Sequence, residues 1–300
     1  MLKKKIKEYA VLAGFDLAGI TLPDNTDQEN NFKTWLDSGC HADMKYLGEN
    51  LDIRLGRKQS HAEIISTIIC IKSYYAEPKN RHLARYVTET DYHIQVRQML
   101  ENLCSMIKRE HGDFYYKIFV DTSPVLEKYL AYKAGLGFIG KNTLLVNPQT
   151  GSFFWIGGMH TSLKLEPDEP LKHEGCGSCS KCVNTCPLNA LEKPYVLDAR
   201  KCLSYWTTSY RGEELPKSVK SALNGCIFGC DICQDVCPYN NNAVSSGFKP
   251  LFPLETLDDI LLKAEMGFKR FFRSSSVYSM GKKRIIRNIA GALNGRRNVL

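Results

Sequence analysis

Cysteine is the residue type whose spacing says most about chemistry in this sequence. Nine of the twelve cysteines lie between positions 176 and 237. The first block reads Cys176-x2-Cys179-x2-Cys182-x3-Cys186-Pro187. This is the spacing of bacterial ferredoxins, in which three closely spaced thiolates bind one four-iron cluster and the fourth, ahead of proline, binds the other. A zinc ribbon or free thiols are the alternatives, but the agreement of every gap favours two 4Fe-4S clusters.

A second block repeats the pattern with one difference. It reads Cys226-x3-Cys230-x2-Cys233-x3-Cys237-Pro238, so its first gap is one residue longer. A gap of three places Cys226 and Cys230 about one helical turn apart, and Cys226 is therefore still a candidate ligand. The isolated Cys202 competes for the same role. Two clusters need only eight of these nine cysteines, and spacing alone does not choose between the two candidates.

The composition limits the class of protein. With 300 residues, 43% hydrophobic and 24% charged, the chain can form one large core or two smaller ones. No apolar run is long enough to cross a bilayer. The basic N-terminus lacks the apolar stretch, cleavage site and twin arginine of an export signal. Because disulfide scaffolds are shorter and spread their cysteines out, we expect a cytoplasmic metalloprotein without a membrane segment.

Positive charge is concentrated at the C-terminus. Residues 266–300 contain nine Lys or Arg and no acidic residue, so the rest of a chain with net charge +8 sums to −1. Such a segment suits a phosphate backbone, although a solvated helix face is an equally simple explanation. The interleaved Phe268, Phe271, Phe272 and Tyr278 favour docking onto the body of the protein or onto nucleic acid over disorder.

The remaining patterns divide the chain into three regions. Residues 1–165 alternate helical and strand-like segments, which indicates a layered α/β domain. The cysteine-rich residues 166–250 have little periodicity, so metal must order them, and they begin with a predicted linker at 164–175. Residues 251–300 are predicted to be helical. Within the first region we expect helices near 1–13, 91–110 and 124–135, and strands within 63–75, 115–121, 142–147 and 152–159.

Five segments together resemble one family. They are "HADMKYL" (41–47), "DTSPVLEKYLAYKAGLGFIGKNTLLVNPQTGSFF" (121–154), "CGSCSKCVNTCPLNAL" (176–191), "KCLSYWT" (201–207) and "IFGCDICQDVCPYN" (227–240). In order and spacing they resemble the epoxyqueuosine reductases, cobalamin-dependent enzymes with two 4Fe-4S clusters that act on tRNA in the last step of queuosine synthesis. The resemblance extends over nearly the whole chain and is more specific than the cysteine pattern alone.

The resemblance implies an α+β fold and a set of cluster ligands. A flavin-reductase-like (nitroreductase-like) α/β domain at 1–165 would bind cobalamin, and 166–250 would form a ferredoxin-like domain with two clusters. Residues 251–300 would form a short, basic helical tail resembling the start of the family's helical-repeat extension. By analogy, one cluster is bound by Cys176, Cys179, Cys182 and Cys237, and the other by Cys186, Cys202, Cys230 and Cys233. Cys226 is then the spare cysteine.

Asp121 matches the family's general acid. It is predicted at the end of a strand, before a helix that starts with Ser123 as N-cap and Pro124 at the first position. Open α/β sheets place ligands at such strand ends, although most aspartates before helices are only caps or turn residues. Opening an epoxide requires a proton at the departing oxygen. We therefore predict that an apolar, corrin-covered pocket raises the pKa of Asp121.

Other corrin contacts follow only from matched motifs. Half of the common cobalamin signature Asp-x-His-x-x-Gly is present, with Val96 in place of glycine, so His93 is predicted to be a structural or surface residue and not a cobalt ligand. Tyr74, Tyr75 and Trp155 are aromatic candidates for stacking, though most buried aromatics are core residues. The cofactor contacts that we predict besides Asp121 are Lys141, Asn142, Leu145, Ile156, Leu203, Ser204 and Tyr210, of which the three aliphatic ones are equally explained by core packing.

The resemblance also implies partners. We predict tRNA contacts at Lys282, Lys283, Arg284 and Arg287, an external flavodoxin- or ferredoxin-type electron donor, and a monomer. Two rival functions remain at this point. A corrinoid reductive dehalogenase would share the clusters and cofactor domain but usually carries a twin-arginine signal. An eight-iron ferredoxin-type carrier would explain the cysteines but neither the first 165 residues nor the basic C-terminal segment.

Overall fold

The computed structural model describes residues 2–77 and 80–297, and within this part the side chains up to residue 294. The strands are β1 (Leu17–Thr21), β2 (Ser66–Ser73), β3 (Tyr116–Phe119), β4 (Phe138–Ile139), β5 (Leu145–Val146) and β6 (Phe154–Thr161). The helices are α1 (Leu2–Leu12), α2 (Glu29–Asp37), α3 (Leu51–Arg54), α4 (Tyr92–His111), α5 (Glu127–Lys133), α6 (Lys181–Thr185), α7 (Leu203–Thr208), α8 (Lys217–Ala222), α9 (Ile232–Asp235), α10 (Leu257–Phe272) and α11 (Lys282–Arg297). Among these residues, no helix combines the length and apolarity needed to cross a bilayer.

The central sheet is antiparallel throughout. Its order is β1-β2-β6-β3, and each neighbouring pair is antiparallel, while β4 and β5 form a separate hairpin. The predicted mixture of helices and strands is confirmed. The sheet nevertheless lacks the parallel strands on which the ligand-crevice argument for Asp121 depended. The alternation of helices and strands suggested that argument, but every neighbouring pair of strands here is antiparallel, and β2 and β3, which α4 connects, are separated by β6.

Strand β2 shows how the sheet forms two cores. Ile68 and Cys70 belong to one buried cluster with residues of α1 and α4, whereas Ile69 and Ile71 belong to a second cluster with residues of α5. Because successive side chains of a strand point to opposite faces, an uninterrupted apolar run is required when both faces are covered. The first region is therefore a three-layer arrangement of helices, sheet and helix.

Two glycines allow the helices to approach the sheet closely. A Cβ added at Gly157 would lie 2.4 Å from Val96 Cγ1 of α4, and one added at Gly19 would lie 2.3 Å from the carbonyl oxygen of Ala134, just after α5. Both distances are far below normal van der Waals contact. The absence of a side chain at these positions fixes how closely each layer packs.

The predicted C-terminal tail is part of a packed helical core. Phe272 of α10 and Ile285 and Ile289 of α11 are completely buried. They share one core with residues of α7, α8 and the cysteine-rich segment. Helix α10 starts with a capping box between Thr256 and Asp259. The segment is helical, as predicted, and it docks onto the body of the protein, which is one of the two alternatives that its aromatic residues favoured, because the apolar positions of both helices supply a core stripe.

The segment between β2 and α4 joins this second core to the sheet domain. Leu83 pairs with Phe228 in a parallel bridge, and the Ile227 amide donates to the His82 carbonyl oxygen at 2.8 Å. Leu83 and Val87 are buried in the helical core. These residues precede the predicted domain boundary at residue 165, yet they pack in the core formed by the residues after it.

The predicted linker at 164–175 is attached to the sheet domain through Asp168. Its backbone amide donates to the Ile20 carbonyl oxygen at 2.8 Å, and its carboxylate accepts the Ile20 amide at 2.9 Å. The same carboxylate pairs with Lys3 and Lys7 of α1. Prolines and charges predicted a linker, but the charges here fix the segment against β1.

We predict that Gly157→Ala destabilises the protein. The added methyl group meets Val96 and Leu100, and overpacking of this kind costs about 1–3 kcal/mol. The measurement is the thermal midpoint of cluster-loaded protein, with Gly48→Ala as the control because nothing lies within 4 Å of a Cβ there. Equal midpoints for the two variants would contradict the close α4–sheet contact.

Candidate active site

The structure brings four cysteines from both blocks around one cavity. Cys176, Cys179 and Cys182 line it together with Cys237, which lies more than fifty residues later. Helix α6, which contains Cys182, packs against α9, just ahead of Cys237. A group of four thiols around one cavity fits a four-iron cluster, in which each cysteine binds a different iron atom.

A second group of thiols lies next to the first. The Cys233 thiol has Cys230, Cys202 and Cys186 as electrostatic neighbours, and burial raises its pKa, as it does for Cys202. Burial also raises the pKa of Cys230 to about 12. These thiols repel one another as thiolates, so a cationic cluster that binds them as thiolates stabilises the whole group. Within the described part of the chain, no group of three potential ligands converges on a single metal ion, as expected for cysteines that bind separate irons.

Cys226 makes a different set of contacts. Its thiol donates to the Gly229 carbonyl oxygen at 2.9 Å and lies near Tyr86. It does not line the cavity around Cys176. The cavity thus brings together the four thiols that the family resemblance assigns to one cluster, and the choice of Cys202 over Cys226 as a ligand of the other remains a prediction.

Asp121 lies in a strained loop after β3. Its φ of 58° is in the left-handed region, which is uncommon for a residue other than glycine. Its amide donates to Glu127 Oε1 at 2.6 Å. Helix α5 begins at Glu127, without a side-chain cap at Leu126. The predicted helix start at Ser123 and Pro124 was wrong, because these residues lie in the turn that the hydrogen bond between Asp121 and Glu127 closes.

Two neighbouring residues of α4 hold the Asp121 carboxylate. Tyr92 Oη donates to Asp121 Oδ2 at 2.9 Å, and His93 Nε2 lies 3.5 Å from the same oxygen. His93 Nδ1 lies 2.7 Å from Oδ1 of Asp91, the N-cap of α4. The Tyr92 ring stacks on His93 at 4.0 Å and on Trp155 at 5.8 Å between ring centroids. The acid site is therefore built on the first turn of a long helix.

The electrostatics of Asp121 contradict one prediction. The hydrogen bond with His93 lowers the pKa of Asp121; burial opposes this effect and Tyr92 reinforces it. The side chain is 64% exposed, so solvent also favours the charged form. The prediction of a raised pKa assumed an apolar, corrin-covered pocket, whereas the groups described around Asp121 are a histidine, a tyrosine hydroxyl and the Lys128 side chain.

The adjacent carboxyl group behaves in the way predicted for Asp121. Burial raises the pKa of Glu127 to about 8, and the Asp121 charge acts in the same direction. Burial raises the pKa of Tyr46, from the "HADMKYL" motif, and the charge of Asp121 raises it further. Sequence reasoning missed Tyr92, Glu127 and His93. The only available signal was the Asp-x-His pair, which was weighed as an incomplete cobalamin motif.

The charges of the acid site and of the cluster segment act on shared residues. Those of Asp121 and Cys233 both act on Lys128. Those of Asp121 and Asp231 both act on Tyr86, and Asp231 lies between Cys230 and Cys233 in the sequence.

A buried polar network joins the sheet to the cluster segment. The Ser152 amide donates to Asn240 Oδ1 at 2.7 Å, and Ser152 Oγ donates to Gln234 Oε1 at 3.0 Å. Asn240 Nδ2 donates to the Gln234 carbonyl oxygen at 2.8 Å, and Gln234 Nε2 donates to Tyr74 Oη at 3.4 Å. Because the three polar side chains satisfy one another, they fix α9 against the start of β6.

The predicted corrin contacts do not form one group. Lys141 Nζ donates to the carbonyl oxygens of Gly177 and Cys179 at 2.8 and 2.9 Å, and Asn142 lines the cavity around Cys176. Both residues thus support the first thiol group. The β4–β5 hairpin packs on the cysteine loop here, and a corrin contact by Lys141 or Asn142 remains a prediction.

The other predicted contacts are spread over two cores. Leu145 and Leu203 are 2% and 3% exposed in separate apolar clusters, so packing explains them. Ile156 is half-buried on β6, and Ser204 lies on α7, directly after Cys202. Tyr210 meets Trp206 edge to face and forms a cation–π contact with Arg287.

The four predicted tRNA contacts differ in their bonds to the protein. Lys282 and Lys283 are exposed, and Lys282 Nζ donates to the Glu265 carbonyl oxygen at 2.9 Å. Arg284 donates to the carbonyl oxygens of Met280, Thr208 and Ser279, and Arg287 donates to those of Tyr210, Gly212 and Trp206. These bonds attach α11 to α7 and the loop after it, and tRNA contact by either arginine remains a prediction.

Comparison with known proteins identifies the family. Residues 54–122 match the family model described as epoxyqueuosine reductase QueG, DUF1730, and 175–240 match that of the 4Fe-4S double cluster binding domain. An epoxyqueuosine reductase from Pseudomonas aeruginosa is 35% identical over 97% of this chain and 85% of its own length. The chain belongs to the epoxyqueuosine reductase family. Its double cluster domain holds two 4Fe-4S clusters.

Solved structures agree with this membership. The epoxyqueuosine reductase from Streptococcus thermophilus superimposes with a TM-score of 0.89 at 28% identity, covering 99% of this chain and 82% of its own. An epoxyqueuosine reductase solved with an epoxyqueuosine-modified tRNA-Tyr stem loop gives 0.82 at 28% identity, covering 98% and 81%. The reductive dehalogenase NpRdhA gives 0.54 at 16% identity, covering 98% of this chain and 36% of its own, which is a likeness of fold alone.

The ligand assignment predicts different effects for two cysteine variants. Cys226→Ala should retain the full iron content, whereas Cys202→Ala should lose about half of it, because one cluster then lacks a ligand. Iron and sulfide analysis with electron paramagnetic resonance of anaerobically reconstituted protein measures both. The converse result would make Cys226 the ligand.

Proposed function

We propose that this protein reduces epoxyqueuosine in tRNA to queuosine, with cobalamin as cofactor and electrons relayed by the two 4Fe-4S clusters. The overall reaction takes up two electrons and two protons and releases water. We further propose that the sheet domain is of the nitroreductase-like type, that the protein works as a monomer in the cytoplasm, and that its electrons come from a flavodoxin- or ferredoxin-type donor.

One observation carries this proposal. The charges of Cys233, a predicted cluster ligand, and of the exposed carboxylate Asp121 both act on Lys128. A predicted cluster ligand and a candidate proton-transfer group thus share a neighbouring residue. A simple electron carrier needs no acid site beside its cluster, so this arrangement supports a reductase over a ferredoxin-type carrier.

The surroundings of Asp121 fit a large polar cofactor. The buried side-chain atom Trp155 Nε1 has no hydrogen-bond partner within the described residues. Buried donors of this kind normally have a partner, and the corrin rim carries many amide groups that can accept or donate. When bound, cobalamin would supply a low-valent metal centre for the reduction. The residues of this chain that would adjoin it are Asp121, Tyr92, His93 and Trp155.

The chemistry of the leaving group separates epoxide reduction from dehalogenation. Breaking a carbon–halogen bond releases a halide, which is stable as an anion and needs no proton. Breaking the C–O bond of an epoxide leaves an alkoxide, which must be protonated as it forms. A carboxylate held by a histidine and a tyrosine therefore suits an oxygen leaving group, and likeness to NpRdhA extends only to the fold.

We predict that Asp121→Asn lowers turnover by about 100-fold or more, the range of general acid catalysis. Anaerobically reconstituted protein would receive epoxyqueuosine-containing tRNA and a strong reductant, with and without cobalamin, and mass spectrometry of the digested nucleosides would measure queuosine. Asp113→Asn is the matched control, since Asp113 is 95% exposed. Full activity of Asp121→Asn would exclude it as the acid, and queuosine formed equally without cobalamin would exclude the cofactor.

The position of α11 gives a second prediction, for tRNA affinity. Lys282→Gln with Lys283→Gln should weaken binding and reduce the slope of log K against log salt by about one to two, because fewer phosphates are neutralised. Lys58→Gln with Lys164→Gln removes the same charge from other exposed positions. Titration of labelled tRNA at several salt concentrations measures both. Equal loss in the two pairs would mean that net charge alone drives binding.

A further inference from the structure

The first turn of α4 carries a charged arrangement that the proposed chemistry does not yet use. His93 lies between two carboxylates: Asp91 Oδ1 is 2.7 Å from Nδ1, and Asp121 Oδ2 is 3.5 Å from Nε2. Asp91 is fixed in turn, because it caps the helix and accepts the His93 amide at 2.9 Å. Both ring nitrogens of His93 thus face an acceptor.

The charges around His93 favour the imidazolium form. A helix N-terminus disfavours a cation, and burial also lowers the pKa of a histidine. These effects are outweighed by Asp121 and Asp91, so that the His93 pKa is raised to about 9. Since the ordinary value is 6.5, His93 is charged at neutral pH, and this charge is lost only as the pH rises through about 9.

The other titratable groups nearby do not cancel this effect. Glu127, from α5, also acts on His93, and its pKa of about 8 leaves it mostly neutral at pH 7. Lys128 faces Asp121 from the same helix. Tyr92 and Tyr86, with pKa values raised mainly by burial, stay neutral.

We propose that His93 is a positioning residue that stores the proton delivered through Asp121 during reduction of the substrate. This inference rests on the proposed function. In the step, Nε2 of the imidazolium releases its proton to Asp121 Oδ2, and Asp121 passes it to the departing oxygen, which keeps the electron pair of the broken C–O bond. The two electrons come from the external donor through the clusters, and neutral His93 regains a proton from solvent.

This role resolves the conflict between the charge and the task of Asp121. As a carboxylate with a lowered pKa, Asp121 carries no proton at neutral pH. A neighbouring imidazolium supplies one without requiring a protonated carboxyl group in the resting protein. Asp91 holds the ring in place and compensates its charge, in the way a buried carboxylate orients a catalytic histidine.

The first test measures the titration of His93 in the cluster-loaded protein. Histidine-selective NMR follows the seven histidines, and the signal missing in His93→Gln identifies His93. We expect a midpoint near pH 9 in the unmodified protein and a shift toward 6.5 in Asp121→Asn and Asp91→Asn. A midpoint near 6.5 in the unmodified protein would overturn the proposal.

The second test follows turnover against pH. We expect the unmodified protein to lose activity as the pH rises through about 9. His93→Ala should be about 10- to 100-fold slower at pH 7, a loss at the lower end of acid–base catalysis, without that alkaline limb and with partial rescue by added imidazole. His111→Ala, an exposed residue at the end of the same helix, is the control.

Each outcome has a distinct meaning. If His93→Ala lost the same fraction of turnover at every pH and imidazole did not restore it, His93 would be a structural residue and the proposal would be overturned. Unchanged turnover would overturn it as well. A His93 midpoint near 9 in a protein that forms no queuosine under any condition would instead refute the proposed function, and with it the use of this proton. Circular dichroism and iron content show whether each variant is folded and loaded.

Discussion

The exchange of one ligand between the two cysteine blocks is the constraint on which this structure depends. Each block contributes to both thiol groups: Cys186 leaves the first block for the second group, and Cys237 leaves the second block for the first group. The segment between them has few periodic apolar residues, so its order comes from thiolate–iron bonds. Helices α6 and α9 are too short to be stable alone, and they pack against each other within the cysteine-rich segment.

The rest of the protein is arranged around this crossed pair. The helical core of α8, α10 and α11 encloses the cluster segment on one side, and Arg287 and Asn288 attach α11 to the loop after α7. The sheet domain approaches from the other side, where α4 and the β3–α5 loop hold Tyr92, His93 and Asp121. At the acid site charge competes with burial. Charge determines the ionisation of Asp121, whereas burial determines that of Glu127 a few residues away.

The parts of this arrangement that depend on local spacing could be predicted from the sequence. Ligand gaps of two and three residues identify a double cluster, and the apolar run of β2 identifies a strand covered on both faces. Spacing could not choose between Cys202 and Cys226, because that choice depends on which thiol the fold brings close, and the choice of Cys202 came from family resemblance. The relative direction of the strands could likewise not be predicted from the sequence, since a connecting helix of this length can join parallel or antiparallel strands.

Residues with long side chains were the least predictable. Arg284 and Arg287 are indistinguishable from Lys282 and Lys283 by charge, but planar guanidinium groups bind several carbonyl oxygens of a neighbouring loop. His93 was undervalued because its partners, Asp91 and Asp121, lie on different elements that meet only in the folded chain. The pKa of Asp121 was predicted in the wrong direction for the same reason, as its neighbours come from α4.

The buried network of Ser152, Gln234 and Asn240 has a consequence for electron transfer. It fixes α9, and therefore the ligand Cys233, against the sheet that supports the acid site, so the path for electrons has a constant length and a rigid medium.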